Sequence, residues 1–517
     1  GFGPVNSFFY EAPSFLDSTE AIFGGSTPPG ISNGDLAWAD VDLDQDLDLV
    51  VIGFDGSSVV GGVYRNNNGN LNFQASGLSG LQAANLSLAD IDGNQTLDLI
   101  VVGENGGGNP QTRLYRNTGG TYTLLNSGLP ALREGDAAFG DYDQDGDADL
   151  VLIGESGGNE FIGLYVNDGD GNFTAAPHSL QAVQNGHVSW QDFDQDQLLD
   201  LLVLGEFNGN PVLRLYRNLG YGEFEEVFRP GGSGLVDLSD SDADWADYNS
   251  DGFPDLVITG RNQTQLQTRV LRNEAGTGNF TNVSSLLPIE RGAARWGDFD
   301  DDGVYDLVYV GEGASGPLAK IYRFVSGAFQ EQLIGQLPLS AGADASLAFG
   351  DCNSDGKLDL ALMGEGNSGR FLQVLRNVDS TLNQIPDLPS NLQADVSADT
   401  VILSWQVPAG SSGQSFNVYA GTASNQANIL PGLSNLNTGF RRVVQLGNAG
   451  GDGELRLIGL AGGNIAWGVQ AIGQDFEASD WVQGGNFTYQ RPDFVNYNVS
   501  VFPHTHLGPA ERYSRYN

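Results

Sequence analysis

Apolar and polar positions along most of the chain fall into short runs that are typical of β-strands joined by tight turns. A short strand pattern such as Val188-Ser-Trp-Gln191 precedes an acidic loop, and an apolar run such as Leu199-Asp-Leu-Leu-Val-Leu204 follows it. A turn rich in Gly and Asn leads to a third pattern, such as Arg214-Leu-Tyr-Arg-Asn218, and to a fourth headed by Gly and Phe. The sequence therefore predicts repeating units of four strands without helices between them.

The unit recurs about every 50 residues, since its acidic loops begin at positions 40, 90, 141, 192, 247, 298 and 351. Four strands per unit without a helix favour a propeller blade, whose apolar second strand is covered on both faces by neighbouring blades. We therefore predict an all-β fold with a seven-bladed β-propeller over residues 1–386. Two segments, 6–10 and 381–385, resemble a fourth strand, and either one would complete the blade that holds the opposite terminus.

Every acidic loop has Asp or Asn at its positions 1, 3, 5 and 9. Ca²⁺ takes roughly six to eight oxygen ligands, and short carboxylates at alternate loop positions can converge on one ion. The spacing predicts up to seven structural calcium sites. Their side-chain ligands would be Asp40, Asp42, Asp44 and Asp48; Asp90, Asp92, Asn94 and Asp98; Asp141, Asp143, Asp145 and Asp149; Asp192, Asp194, Asp196 and Asp200; Asp247, Asn249, Asp251 and Asp255; Asp298, Asp300, Asp302 and Asp306; and Asp351, Asn353, Asp355 and Asp359.

The loop and the apolar strand after it, as in 141–154, resemble the FG-GAP/VCBS repeat, the blade of the integrin α-subunit head. The resemblance implies that the loop joins the first two strands of a blade. It also implies that position 7 binds Ca²⁺ through its backbone carbonyl and that the opposite face holds the ligand. The residues at position 7 are Asp46, Thr96, Asp147, Leu198, Phe253, Val304 and Lys357.

Position 6 of the loop separates the copies into two groups. It is Gly in four loops, where a left-handed backbone is free of strain, and Gln in three, where that backbone is strained: Gln45, Gln95 and Gln197. The second loop also carries Asn94 at position 5. We therefore expect the third and sixth loops to bind Ca²⁺ most firmly and the second loop most weakly.

The period ends near Pro386, and the following strand patterns alternate as they do in a β-sandwich. Residues 387–490 resemble a fibronectin type III domain, with Trp405 as its core tryptophan, although the segment 422–456 matches poorly. The tail, 491–517, contains one strictly alternating stretch, Val495–Val501. It would add a strand to its own sandwich, pair with a neighbouring subunit, or remain a loose tail.

The net negative charge of the chain disfavours two classes of partner. The chain has 65 acidic and 23 basic residues, a formal net charge of −42. Such a field repels nucleic acids and anionic membranes, so neither is expected as a partner. No apolar run is long enough for a transmembrane helix. We expect an extracellular or cell-surface protein whose leader, if one existed, has been removed.

The remaining candidate chemistry is sparse. A glutamate follows the second strand in five units (Glu104, Glu155, Glu206, Glu312 and Glu365) and would form either a carboxylate ring for ligands or ordinary hairpin starts. His504 and His506 would either bind a metal ion or have no such role. Cys352 is expected to be a small buried side chain. No phosphate loop, nucleophile elbow or zinc signature occurs, so we predict that the protein is not an enzyme.

These observations favour a calcium-stabilised adhesion or binding protein that recognises a protein or glycan through the face opposite the loops. Two alternatives remain open at this point. One is a structural subunit of an extracellular filament or coat that self-associates through the tail or the sandwich. The other is a lectin or an accessory module of a polysaccharide-degrading system.

Overall fold

The computed structural model describes residues 15–490 except for 221, 228–233, 333–344, 379–384, 398–399, 410–412, 425, 452, 459 and 461. The described residues form 34 strands and one single-turn helix, so the prediction of an all-β fold is confirmed. No helix among them is long and apolar enough to cross a membrane. The segments 6–10 and 491–517, together with most of 381–385, lie outside the described residues.

The described chain begins with β1 (Phe15–Asp17) and the helix α1 (Thr19–Ile22). The next sixteen strands are β2 (Ser32–Ala39), β3 (Asp48–Phe54), β4 (Val59–Asn66), β5 (Leu71–Gln74), β6 (Gln82–Ala89), β7 (Asp98–Glu104), β8 (Pro110–Thr118), β9 (Thr121–Leu124), β10 (Arg133–Gly140), β11 (Asp149–Ser156), β12 (Asn159–Asn167), β13 (Phe173–Ala176), β14 (Val188–Gln191), β15 (Asp200–Phe207), β16 (Asn210–Asn218) and β17 (Phe224–Glu226). They form four antiparallel sheets of four strands, paired in chain order, which we call units 1 to 4.

The chain continues with β18 (Ser239–Ala246), β19 (Asp255–Arg261), β20 (Leu266–Asn273), β21 (Phe280–Asn282), β22 (Ile289–Gly297), β23 (Asp306–Gly313), β24 (Gly316–Val325), β25 (Ala328–Glu331), β26 (Ser346–Gly350), β27 (Asp359–Gly366) and β28 (Gly369–Asn377). Unit 5 (β18–β21) and unit 6 (β22–β25) are linked by the single pair Gln267 and Ile289. Unit 7 contains β26, β27 and β28, with β1 as its fourth strand. The propeller-like repetition of four-stranded sheets agrees with the sequence prediction.

The fourth strand of unit 7 comes from the N-terminal part of the chain. Phe15 pairs with Asn377 and Asp17 pairs with Leu375, so β1 runs antiparallel to β28. This three-residue strand was not one of the two segments that the sequence pattern singled out. It has no alternation long enough to stand out as a strand.

A hydrophobic core lies at every junction between consecutive units. At the junction of units 1 and 2, for example, Val50 and Ile52 pack with Leu99 and Val101. The same kind of cluster joins unit 7 to unit 1, where Trp38 packs near Met363. Three of the four tryptophans that precede the loops (Trp38, Trp245 and Trp296) are buried in these cores, and Trp190 is partly buried. Cys352 is also buried.

The first strands of most consecutive units lie next to one another, as β6 does with β2 and β10, and β22 with β18 and β26. Five of them contain a β-bulge seven residues before the acidic loop, and the bulged residue has a left-handed backbone. These residues are Asn33, Ala83, Glu134, Asp240 and Arg291, and Asn185 has the same conformation at the equivalent place in unit 4. They form a rim at the end of the units opposite the acidic loops.

The C-terminal part consists of β29 (Ser390–Val396), β30 (Thr400–Gln406), β31 (Ser415–Gly421), β32 (Glu454–Ile458), β33 (Gly463–Ile472) and β34 (Val482–Tyr489). The strands form two three-stranded sheets, ordered β29-β30-β32 and β31-β33-β34. Both sheets contribute to one core, in which Trp405 contacts Phe416 with ring centroids 5.3 Å apart. This two-sheet body therefore has a hydrophobic core of its own.

Candidate metal centres

All seven acidic loops adopt the same backbone. Position 6 is left-handed in each, with φ between 70° and 99°, and the three glutamines adopt this backbone although it was expected to be strained for them. Position 4 is also left-handed in each loop, although it holds residues as unsuited to that region as Leu43 and Gln144. The left-handed backbone at position 4 could not be predicted from the sequence, because no regular glycine marks that position.

Side chains of the loop hold this backbone in place. The position 1 carboxylate accepts hydrogen bonds from the backbone N–H groups of positions 5 and 6, as Asp247 does from Asp251 (3.0 Å) and Gly252 (2.8 Å). The position 5 side chain accepts one from the N–H of position 7, as in the bond from Val304 to Asp302 at 3.1 Å. The same bond at position 7 is present in all seven loops.

The position 9 carboxylate ties each loop to the third strand of its unit. Asp48 accepts a hydrogen bond from the backbone N–H of Asn66 at 2.7 Å, and Asp200 accepts the equivalent bond from Asn218 at 2.7 Å. The side chain of this asparagine reaches the preceding unit: Asn218 Nδ2 donates to the carbonyl of Tyr142 at 2.7 Å. Six units contain such an asparagine, and Phe324 replaces it in unit 6.

The loop carboxylates converge as the spacing predicted. In five loops, three carboxylates place one oxygen each within 4.8 Å of the others: Asp40, Asp42 and Asp44; Asp90, Asp92 and Asp98; Asp141, Asp143 and Asp149; Asp192, Asp194 and Asp200; and Asp298, Asp300 and Asp302. In the fifth and seventh loops position 3 is neutral, being Asn249 and Asn353. Each of these five loops therefore brings three carboxylates close together.

Several of these oxygens are buried without a hydrogen-bond partner. They are Asp42 Oδ1, Asp141 Oδ1, Asp149 Oδ2, Asp194 Oδ1, Asp300 Oδ1 and Asp306 Oδ2. A buried carboxylate oxygen that lacks a donor is costly unless a cation satisfies it. The residues therefore fit a hard divalent cation such as Ca²⁺, which prefers oxygen ligands of this kind.

The raised pKa values of the loop carboxyl groups also indicate that these residues fit a bound cation. Burial raises the pKa of Asp48 and of Asp98 to about 7, and the pKa of Asp200 to about 9. In the third loop, burial together with the charge of Asp143 raises the pKa of Asp149 to about 10. Ionised carboxylates are therefore unfavourable in these positions, and a bound cation would remove the penalty.

The glutamates after the second strands do not share one environment. Glu155 is buried and accepts hydrogen bonds from the backbone N–H of Gly158 and from Arg133, as a hairpin-starting residue does. Glu104 lies 3.8 Å from the same arginine. Glu365 is exposed and pairs with Arg370 at 3.3 Å. The structure therefore gives Glu155 a structural role in its hairpin.

The two-sheet body covers the face of the units that carries the acidic loops. Hydrogen bonds join it to five loops: Asp40 N–H to the Arg442 carbonyl (2.8 Å), Arg442 Nη1 to the Gln95 carbonyl, Ile458 N–H to the Gln144 carbonyl (2.8 Å), Gln197 Nε2 to Glu454 (2.7 Å), and Asp298 N–H to the Gln474 carbonyl (3.1 Å). Apolar residues of the same body, among them Val443, pack into the cores between units. No pattern in the sequence predicted this contact.

Arg442 of the two-sheet body is buried against the second loop. Its side chain is only 1% exposed and lies 3.9 Å from Asp90 of the second loop. It donates hydrogen bonds to the carbonyls of Gln95 and Gly432. It comes from the segment 422–456, whose irregular sequence gave no strand pattern. The second loop, expected to be the weakest calcium site, thus has a buried guanidinium beside it.

Comparison with known proteins identifies the repeated part of the chain. Residues 40–362 match the family model described as "FG-GAP-like repeat", in overlapping segments 40–101, 90–152, 141–203, 192–258, 247–309 and 298–362. Each segment begins at one acidic loop and extends past the next. No curated protein sequence matches the chain.

Solved structures similar to the chain include a puromycin hydrolase, with 13% sequence identity and a TM-score of 0.35 over 76% of this chain. Another is the extracellular domain of a hybrid two-component system from B. thetaiotaomicron, with 10% identity and a TM-score of 0.35 over 84% of this chain. The chain spans 61% and 59% of these two proteins, respectively. At such TM-scores neither likeness bears on the function of this chain.

Proposed function

The chain belongs to the FG-GAP-like repeat family, and from that premise we propose that it is a calcium-stabilised, non-enzymatic binding protein that acts outside the cell or at its surface. In this proposal residues 1–386 are a seven-bladed propeller, and 387–490 are a fibronectin type III-like sandwich. The ligand is a protein or a glycan. The seven junction cores, including the one between units 7 and 1, support closure of the propeller.

The observation that carries the proposal is the cover over the loop face. The acidic loops join the first and second strands, so the second-to-third hairpins and the connections between units lie at the opposite end. Because Arg442, Ile458 and Gln474 occupy the loop face, that face is blocked to a large partner. The opposite face, with the exposed rim residues Glu134 and Arg291, is the open surface for a ligand.

Calcium has a structural role in this proposal. Asp141, Asp149 and Asp306 would hold it through their unpartnered buried oxygens, together with the other carboxylates of their loops. When bound, the ion supplies positive charge that offsets the mutual repulsion of these side chains. The loops themselves fix the geometry through their internal hydrogen bonds.

The non-enzymatic part of the proposal is supported by the position of His187. Its Nδ1 lies 3.0 Å from Asp136 and 3.6 Å from Asp242, at the centre of the units. The side chain is 18% exposed, and its other ring nitrogen is buried. A histidine held in this way links units to each other and is poorly placed to reach a bound substrate.

Binding assays on glycan arrays and immobilised extracellular proteins test the proposal. A ligand of the open face should lose affinity in Glu134→Arg, which reverses a charge on the rim. The matched control is Glu225→Arg, an exposed position on the outer strand β17. Turnover of a polysaccharide would overturn the non-enzymatic assignment. Regular polymers in electron micrographs, with no ligand for the rim, would favour the filament subunit instead.

A further inference from the structure

The third strand of each unit presents one particular side chain to the acidic loop. This residue immediately precedes the one whose N–H bonds to the position 9 carboxylate, so its place is equivalent in all units. It is an arginine in six units and a valine in unit 3. The residues are Arg65, Arg116, Val166, Arg217, Arg272, Arg323 and Arg376.

In four units the arginine forms an ion pair with the carboxylate at position 3 of its own loop. Arg65 Nη1 lies 3.2 Å from Asp42 and 2.8 Å from Asp48. Arg116 Nε lies 2.7 Å from Asp92. Arg217 pairs with Asp194 in the fourth unit, and Arg323 with Asp300 in the sixth.

The two units with a neutral position 3 differ in the ion pair of the arginine. In unit 5, which has Asn249, Arg272 Nη2 pairs with Glu274, outside the loop, at 2.8 Å. In unit 7, which has Asn353, Arg376 Nη2 donates to the carbonyl of Gly69 at 3.3 Å, a bond to the next unit that the arginines of units 1, 2 and 4 form in addition to their ion pairs. The ion pair with the loop therefore occurs where position 3 carries a charge to be neutralised.

The third loop has the charge without the arginine. It contains five aspartates, at the odd-numbered residues from 141 to 149. Val166 occupies the place that an arginine occupies in the other units. Two oxygens of this loop, Asp141 Oδ1 and Asp149 Oδ2, are buried without a hydrogen-bond partner.

We propose that the third-strand arginine is an internal counter-ion that sets the cation affinity of its own loop, and that the third loop, which lacks it, holds the tightest Ca²⁺ of this chain. The inference rests on the proposed calcium binding. An incoming ion in units 1, 2, 4 and 6 shares the position 3 carboxylate with a guanidinium, which reduces the net charge that attracts it. The sixth loop, which was expected to rank with the third, therefore binds less firmly, because Arg323 also pairs with Asp302 at 2.9 Å.

Calcium titration of the full chain by calorimetry tests the inference, with circular dichroism to verify folding. Val166→Arg should weaken the tightest class of sites about tenfold, since ligand charge tunes affinity. Ala175→Arg adds the same charge at an exposed position whose cross-strand partner is Tyr165, and it should leave that class unchanged. Arg217→Met should strengthen one weaker site by a similar factor.

The outcomes separate this inference from the proposed function. If the unaltered chain takes up no calcium, the calcium assignment itself fails. If it takes up calcium but the affinities of folded Val166→Arg and Arg217→Met match the unaltered chain, only the counter-ion inference is overturned. Should Val166→Arg fail to fold, Arg217→Met alone decides, because Arg217 is 32% exposed and its replacement introduces no charge into the strand.

Discussion

Asn66 Nδ2 donates a hydrogen bond to the carbonyl of Cys352 at 2.8 Å, across 286 positions of the chain. The same nitrogen donates to the carbonyl of Leu47 at 2.9 Å. The equivalent asparagines of other units bond to the unit just before them in the chain, whereas Asn66 bonds to unit 7. One side chain therefore ties the first unit to the last, next to the junction core that contains Trp38 and Met363.

Replacing Asn66 with Ala should destabilise the chain by about 1–3 kcal/mol, because two buried carbonyls lose their donor. Urea denaturation measures the change in the free energy of unfolding. Asn72→Ala, at an exposed position of β5, is the control and should be nearly neutral. Equal stability of the two variants would show that the Asn66 bond contributes nothing to closure.

Calcium should raise the melting temperature of the chain, and a chelator should lower it. One site at tenfold excess of Ca²⁺ over its Kd adds about 1.4 kcal/mol to the folded state, and several sites add together. Differential scanning calorimetry in millimolar calcium, magnesium and chelator measures the effect. Magnesium is the control ion, because it demands a smaller octahedral site. Identical melting curves in calcium and chelator would contradict the structural role of the ion.

Arg442→Met should loosen the two-sheet body from the acidic loops. The change removes a buried guanidinium from the Gln95 and Gly432 carbonyls and from Asp90, at a cost of about 3 kcal/mol. Limited proteolysis between residues 378 and 390, together with small-angle scattering, should detect the separation. Arg272→Met is the control, since that side chain is 43% exposed. Unchanged cleavage in Arg442→Met would argue against this contact as the anchor.

His187 should make stability depend on pH. Burial lowers its pKa, but the hydrogen bond to Asp136 and the charges of Asp136 and Asp242 outweigh burial, despite the nearby Arg295, and raise the pKa above 6.5. Because the pKa of His187 is higher in the folded state than in the unfolded state, protonated His187 stabilises the fold fully below about pH 6.5. This stabilisation disappears as the pH rises through the pKa of the folded state.

Denaturation from pH 5 to pH 9 compares the unaltered chain with His187→Gln. The stability lost in the variant should be largest on the acid side and should shrink as the pH rises. His178→Gln is the matched control, because burial lowers the pKa of His178 and so gives no stabilising charge at low pH. Parallel pH curves for His187→Gln and the unaltered chain would contradict the ionic role of His187.

Much of the repeated part could be predicted because its determinants are local. The acidic spacing predicted the clustering of Asp141, Asp143 and Asp149, and the glycines at position 6 predicted a left-handed backbone that Gln95 also adopts. β1 could not be predicted in this way, because three residues carry no period. Arg442 was missed for a different reason. Its position depends on contacts between distant parts of the chain, which leave no regular pattern in the sequence.

The cover over the loops has a consequence for how the two bodies hold together. Asp90 is 4% exposed and Arg442 is 1% exposed, so the ion pair between them is shielded from solvent, although Asn94 of the same loop is exposed. Dissolved salt screens buried pairs much less than exposed ones. The attachment of the two-sheet body at this point would therefore persist in strongly saline surroundings.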